Sequence, residues 1–263
     1  MVQDSPFARK LSTYFDLSPE DLRELEVVYN RRRKFRAGQD LISQGQNNHS
    51  AYILEQGWAC SYVILPNGGR QIVAFHIPGD MLGQRSVLFR GSDHSVEPIT
   101  PIEACEVLVS DLMEAFTKTP KLATAVLWAS SRDVAMLVGN LVGMGRRTAA
   151  QRTAHCLLEL GIRLRELGLG ETRAYACPLT QYQLADALGL SAVHVNRVLR
   201  DMHEAGLMTF QKGKVRFDDF DRLVAFADFD RAYLDDAGPM LHWPLTKYIA
   251  PPAPIRLPQH KGR

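Results

Sequence analysis

No stretch of about 18 consecutive apolar residues occurs in the chain, which excludes a membrane-spanning helix. The first ten residues, MVQDSPFARK, are polar where a secretory leader would carry an apolar core, so a cytoplasmic location is expected. Cysteine is scarce. The four present, Cys60, Cys105, Cys156 and Cys177, form no C-x-x-C or C-x-x-H pair, and no metal site is expected from them. Buried thiols in a reducing compartment fit Cys60, Cys105 and Cys156, while Cys177, before Pro178 in a loop-like stretch, is the first candidate for a redox-sensing thiol. A glycine-rich phosphate loop, an H-E-x-x-H pair and a G-x-S-x-G elbow are all missing, and no enzyme is expected. The acidic pairs Glu20/Asp21 and Asp218/Asp219 read as helix-start residues. Excess charge is absent too: 31 Lys and Arg against 29 Asp and Glu leave a formal net charge of +2 over 263 residues, so affinity for nucleic acid must come from local patches.

What is present centres on Leu179 to Phe217, LTQYQLADALGLSAVHVNRVLRDMHEAGLMTFQKGKVRF. Two short helices are expected, about Gln181–Leu188 and Ser191–Glu204, with Gly189 making the turn and Ser191 capping the second helix. At about 100° per residue, Val195, Val198, Leu199 and Met202 share one side of the second helix, and Val193, Arg197, Arg200 and Glu204 the other. That polar side is suited to a DNA major groove, with Arg197 forking onto guanine, Val193 touching a thymine methyl, and His194 and Asn196 flanking them. A β-hairpin follows at Thr209–Phe217 with Lys212, Gly213 and Lys214 at its tip, placing two charges at phosphate height.

Elsewhere the period of the sequence changes twice. Ser5–Asn30 reads as helical, with Ser18 capping SPEDLRELEVVY and Pro19 at its first position. The basic run Arg31–Lys34 alternates into a strand and is read as a solvated edge rather than a nucleic-acid patch. From Phe35 to Val109, short β-branched and aromatic runs separated by AGQ, QGQNN, PNGG, PGD and RGSD predict a β-barrel or sandwich of roughly eight strands, with the hairpin Tyr62–Val73 turning at Asn67-Gly68. A short helix from Asp111 to Lys118 and a long one from about Leu122 to Gly145 follow. In the long helix Leu127, Val134 and Leu141 recur at heptad spacing with Leu137 and Met144 between them, a seam broken by Ser130 and expected to pair two copies. Gly139, Gly143 and Gly145 weaken its end, where a hinge is expected. Another helix spans Ala149–Leu167, a last one Phe220–Leu234, and the proline-rich tail GPMLHWPLTKYIAPPAPIRLPQHKGR reads as extended or disordered.

This order, with its glycine-punctuated roll (Gly38, Gly45, Gly57, Gly68 and Pro78-Gly79-Asp80), the segment Arg152–Leu160 and LTQYQLADALGLSAVHVNRVLRDM, resembles the Crp/Fnr family of bacterial transcription regulators over about residues 7–230. The resemblance implies an α+β chain: a double-stranded β-helix or jelly-roll sensor domain of the cyclic-nucleotide-binding type (1–121), a dimerisation helix and hinge (122–147), a winged helix-turn-helix domain (148–235) and the tail (236–263). It implies a homodimer on double-stranded DNA at a near-palindromic promoter site, in contact with RNA polymerase. Thr180 and Gln181 match phosphate contacts, and Val193, Asn196 and Arg197 the base-reading positions.

Three departures limit the resemblance. Members that bind cyclic AMP carry a Gly-Glu pair for the ribose and an Arg-Ser pair for the phosphate, where this chain has Gly83-Gln84 and His94-Ser95, with Leu137-Val138 near the base position. His94 lacks the permanent fork of an arginine, so an effector other than cyclic AMP, or none, is expected. The N-terminal cysteine cluster of the iron–sulfur members is missing, so no cofactor is expected, although His49, His76 and His94 leave haem open and Gln84 leaves a nucleotide open. Finally, Val193 stands where many members read cytosine with Glu. A sensory module whose output is a protein–protein contact is the competing reading.

Overall fold

The computed structural model describes residues 2–47, 50–85, 91–230 and 234. A 3-10 turn at Val2–Asp4 leads into α1 (Pro6–Ser12) and α2 (Pro19–Val28). Both helices start on a serine cap followed by proline, Ser18-Pro19 as expected and Ser5-Pro6 in addition, and the stretch expected to be helical from Ser5 to Asn30 is interrupted between Ser12 and Pro19. Ser18 Oγ accepts the Asp21 N–H while Asp21 accepts the Ser18 N–H, a reciprocal box that satisfies two otherwise orphaned donors.

Among the described residues seven strands follow: β1 (Arg32–Phe35), β2 (Ser50–Gln56), β3 (Ala59–Ile64), β4 (Arg70–His76), β5 (Met81–Leu82), β6 (Ser95–Pro98) and β7 (Ile102–Leu108). They pair antiparallel into two sheets ordered β1-β7-β2-β5 and β4-β3-β6. The middle strands are apolar on both faces because each face meets a different core. Ala51, Ile53, Cys105 and Val107 pack against Phe7, Leu11, Leu25 and Val28 of the N-terminal helices. Tyr52, Leu54, Ile102 and Ala104 point the other way, with Ile42, Leu82 and Val96 inside the roll. Between β2 and β3, Gly57 has φ +84°, and a Cβ there would lie 2.5 Å from the Pro101 carbonyl oxygen. The basic run is an edge strand as expected, and its charges are paired: Arg33 with Glu106 (2.6 Å), Arg32 and Lys34 with Glu103, Arg31 with Asp111.

Helices α3 (Val109–Lys118) and α4 (Pro120–Arg146) lead to α5 (Ala149–Glu166), β8 (Ala174–Ala176), α6 (Gln181–Leu188), α7 (Ala192–Glu204), the hairpin β9 (Met208–Gln211) and β10 (Lys214–Phe217), and α8 (Phe220–Phe226). α4 runs on through Gly139, Gly143 and Gly145 to Arg146, and the break falls at Arg147, whose extended backbone precedes the Thr148 cap and the Thr148/Gln151 box that start α5. One expectation here needs correction: the last helix stops at Phe226 instead of running to Leu234, because Asp228 takes φ +48° and the Phe229 N–H returns to the Val224 carbonyl. The tail from 236 onward lies outside the described residues.

Roll, long helix and C-terminal part meet at a buried ionic junction. Asp80, in the Pro78-Gly79-Asp80 turn, accepts from Lys10 Nζ of α1 at 2.8 Å, from the Arg163 guanidinium of α5 and from the Ile77 N–H at 2.9 Å. Arg132 of α4 pairs with Glu166 of α5 at 2.6 Å, and Arg9 donates to the Leu167 carbonyl at 2.8 Å. Burial alone would raise the Asp80 carboxyl, but Arg163 and Lys10 outweigh it and hold the group well below the usual carboxylate range. Asp80→Asn removes the nearest carboxylate from Lys10 and Arg163, leaving them the longer contacts to Asp133 (3.8 Å) and Glu159 (4.0 Å), and should cost about 3 kcal/mol, measured by denaturant unfolding. A depressed folded-state value gives stability that is complete above the unfolded value near pH ~4 and fades as pH falls through the folded one. The Asn variant should lack that part of the acid-dependent loss.

Candidate nucleic-acid interface

Thr180 caps α6 by accepting the Gln183 N–H, while Gln183 Oε1 accepts the Thr180 N–H at 2.9 Å. Leu184, Ala185 and Leu188 turn inward. At the helix end Gly189 adopts φ +60°, ψ +43°, and the Leu190 N–H returns to the Ala185 carbonyl at 3.0 Å. A Cβ on Gly189 would lie 2.7 Å from Met144 Cε, so the turn also fits closely against the end of α4. Ser191 Oγ then caps α7 by accepting the His194 N–H at 3.2 Å.

Helix α7 buries Val195, Val198, Leu199 and Met202 in a core shared with Leu157, Leu158, Leu184, Val215 and Phe217. Val193 (81% exposed), Asn196, Arg197 and Arg200 face outward and His194 is half-buried, as the wheel predicts. Arg200 lies 3.9 Å from Glu204. No described carboxylate lies within 4 Å of Arg197, Lys212 or Lys214. The hairpin closes with a two-residue turn in which Lys212 (φ +51°) and Gly213 (φ +70°) are both left-handed, the geometry that matches the twist of the strands. Tyr182, 75% exposed beside Gln181, was missed from the sequence; its place two residues before the buried Leu184 is the signal that put it outside.

A cavity of about 670 Å³ lies between the roll, α4, α5 and α6. Gly83, Gln84, His94 and Leu137 line it, whereas Ser95 and Val138 do not. Ser95 Oγ is turned to the Gln44 N–H at 3.0 Å, and Val138 is exposed on α4. Gln84 Oε1 accepts from Ser130 Oγ at 2.8 Å, which shows that Ser130 faces the cavity instead of breaking the seam. His94 Nδ1 lies 2.7 Å from Asp93, which also pairs with Arg85 at 2.9 Å. His76 also lines the cavity, 2.7 Å from Ser61 Oγ, and burial lowers its pKa to about 4, leaving the ring neutral near pH 7. His49 lies outside the described residues.

Along α4, Leu127, Val134, Leu137, Leu141 and Met144 are 41–72% exposed, far more than a helix packed only within its own chain would leave. The cysteine expectation is corrected at two positions: Cys156 is only half-buried and lines the cavity, and Cys177 is not an accessible thiol. Cys177 is fully buried behind the wing, its N–H donating to the Gly213 carbonyl, and burial pushes its thiol up to about 12. A buried protonated thiol is a poor nucleophile, so Cys177 should react with a disulfide reagent only at the rate of unfolding; rapid labelling at Cys177 itself, located by peptide mapping, would contradict this placement.

These features define a winged helix-turn-helix DNA-binding transcription regulator, not an enzyme. Residues 32–119 match the cyclic nucleotide-binding domain family and residues 151–226 the Crp-like helix-turn-helix domain family. The chain belongs to the Crp/Fnr family of transcription regulators. Among its relatives, the nitrogen fixation regulation protein FixK of Bradyrhizobium diazoefficiens is 29% identical over 80% of this chain and 87% of its own. The fumarate and nitrate reduction regulatory protein of Salmonella typhimurium is 24% identical over 82% and 86%. Of solved structures, FixK2 from Bradyrhizobium japonicum has a TM-score of 0.66 at 26% identity, covering 74% of this chain and 96% of that one. A CRP-family transcriptional regulator from Thermus thermophilus shares the fold with a TM-score of 0.60 at 19% identity, covering 75% and 97%. Among the described residues no helix is long and apolar enough to cross a membrane.

Proposed function

We propose that this regulator acts in the cytoplasm as a homodimer on a near-palindromic promoter site, in contact with RNA polymerase, with α7 in the major groove of each half-site. The observation that carries this reading is the outward face of α7, where Arg197 projects with no carboxylate within 4 Å among the described residues while the opposite face is sealed in the core. Arg197 reads guanine, Val193 and Asn196 meet neighbouring base edges, and Thr180, Gln181, Ser191, His194, Arg200, Lys212 and Lys214 meet the backbone or flank it. The exposed stripe on α4 is the dimer seam, and it supplies the two half-sites about 34 Å apart that such readers require. Residues 1–121 form the sensor domain, 122–147 the dimer helix and hinge, 148–235 the DNA-binding domain and 236–263 an appended tail.

The effector is not cyclic AMP, or there is none. At the mouth of the cavity the Arg85 guanidinium is paired with Asp93, and the carboxylate beside His94 is a poor neighbour for a cyclic phosphate. No haem, metal or iron–sulfur group is called for in this reading. In a binding assay on the preferred duplex, Arg197→Ala should lose about 1–3 kcal/mol of discrimination at one base of each half-site, with the dimer intact by sedimentation. Unchanged base preference in that variant would remove Arg197 from the reading. A flat salt response of the wild-type protein would instead favour a module whose output is a protein–protein contact.

A further inference from the structure

Four side chains outside the reading face are strung together where the hairpin leaves α7. His203, on the last turn of α7, has its Nδ1 2.9 Å from Thr209 Oγ1 on β9, and Thr209 Oγ1 donates to Asp218 Oδ2 at 2.7 Å. The other oxygen of Asp218 accepts from Arg216 Nε of β10, also at 2.7 Å. An ionised carboxylate only accepts, so the single hydroxyl hydrogen of Thr209 goes to Asp218, and the oxygen is left to accept from His203 Nδ1–H. The tautomer of His203 is thereby fixed.

The placement of these groups gives the chain of bonds a direction. Thr209 and Arg216 are paired across the hairpin, and Lys212 and Lys214 stand at its far end. Asp218 itself is anchored by its N–H to the Leu207 carbonyl at 3.0 Å. Apolar packing of Met208, Val215 and Phe217 holds one face of the hairpin down and β10 is laddered to β8, so β9 is the edge strand and the less constrained half of the hairpin. The polar chain runs on the outer side, from helix end to edge strand to strand exit, and opposes a twist of β9 against α7.

We propose that Thr209, with His203 and Asp218, is a positioning residue for DNA binding: it sets the angle of the wing against the reading helix, so that Lys212 and Lys214 meet phosphates while α7 is seated. This inference rests on the proposed DNA interface and adds residues to it that touch no DNA themselves. The fixed wing converts two mobile lysines into contacts whose ordering cost is met before binding.

The test is a double-mutant cycle on the full-length protein, read as affinity and salt dependence on its selected duplex. Thr209→Val, which keeps the shape and removes the hydroxyl, should weaken binding roughly three- to tenfold, the scale of one or two hydrogen bonds, and lower the log–log salt slope by roughly one or two. Thr209→Ser should restore both. His203→Ala, on the exposed helix surface, should reproduce the loss of slope without touching the strand pairing. In a Lys212→Ala/Lys214→Ala background, Thr209→Val should add nothing further. Wild-type affinity and slope in Thr209→Val would overturn the proposal, as would an equal loss in both backgrounds, since that loss would not pass through the wing lysines. Absence of DNA binding by the wild-type protein would overturn the interface and this inference with it; binding by the wild type with a silent Thr209→Val removes the inference alone.

Discussion

The Asp80 carboxylate, buried between Lys10 and Arg163, is the constraint on which the arrangement of the chain depends. Its ligands come from α1 and α5, and the turn that carries it closes the roll, so three stretches far apart in the sequence meet at one anion. Apolar contact surrounds this point, in a cluster running from Trp58, Ile72, Phe75 and Ile77 of the roll to Leu157, Leu160 and Leu184 of the helix-turn-helix part. Apolar surfaces tolerate sliding; buried ion pairs do not, because a displaced partner leaves a charge without water. The junction therefore fixes how the DNA-binding part sits against the roll, and the Gln71 side chain, donating to the Ala187 carbonyl at 3.2 Å, ties β4 to α6 at a second point.

The cavity lies between these two ties, and its lining reaches from Gln84 and His94 at the roll to Met144, Ala187 and Leu188 beside the helix-turn-helix. A change at either end has a short path to the other. α4 passes along the cavity with Val134, Leu137 and Leu141 on its lining, and the same three residues, with Leu127, stay largely exposed to meet a second copy. One helix thus serves as cavity wall and as dimer surface, which places any ligand in the roll one side chain from the proposed subunit contact.

Much of the DNA-binding part was legible because local chemistry determines it. Gly189 and Ser191 impose the turn and the cap, and the 3.6-residue period of Val195, Val198, Leu199 and Met202 assigns the faces of α7. The alternation in β2 and β7 was harder, since strands with cores on both sides lose the apolar–polar rhythm. What the sequence could not disclose was long-range. Lys10, Asp80 and Arg163 carry no mutual spacing signal, and Cys177 looked exposed beside Pro178 until the hairpin was folded over it. The end of α8 was overrun because Asp228 stops the helix by adopting a left-handed backbone without a glycine to mark it. Ser130 looked like a flaw in the seam, yet it belongs to the polar side that meets Gln84.

The most direct test of the central claim is a binding selection from random duplex DNA with the purified, full-length protein, run without ligand and with cyclic AMP added. One near-palindrome, with half-sites about one helical turn apart, is expected to be enriched in both arms alike. Enrichment that required the nucleotide would contradict the reading of Gln84, His94 and Asp93. The absence of any enriched sequence in either arm would contradict the assignment of α7 as the reading helix of a regulator that needs no cyclic AMP.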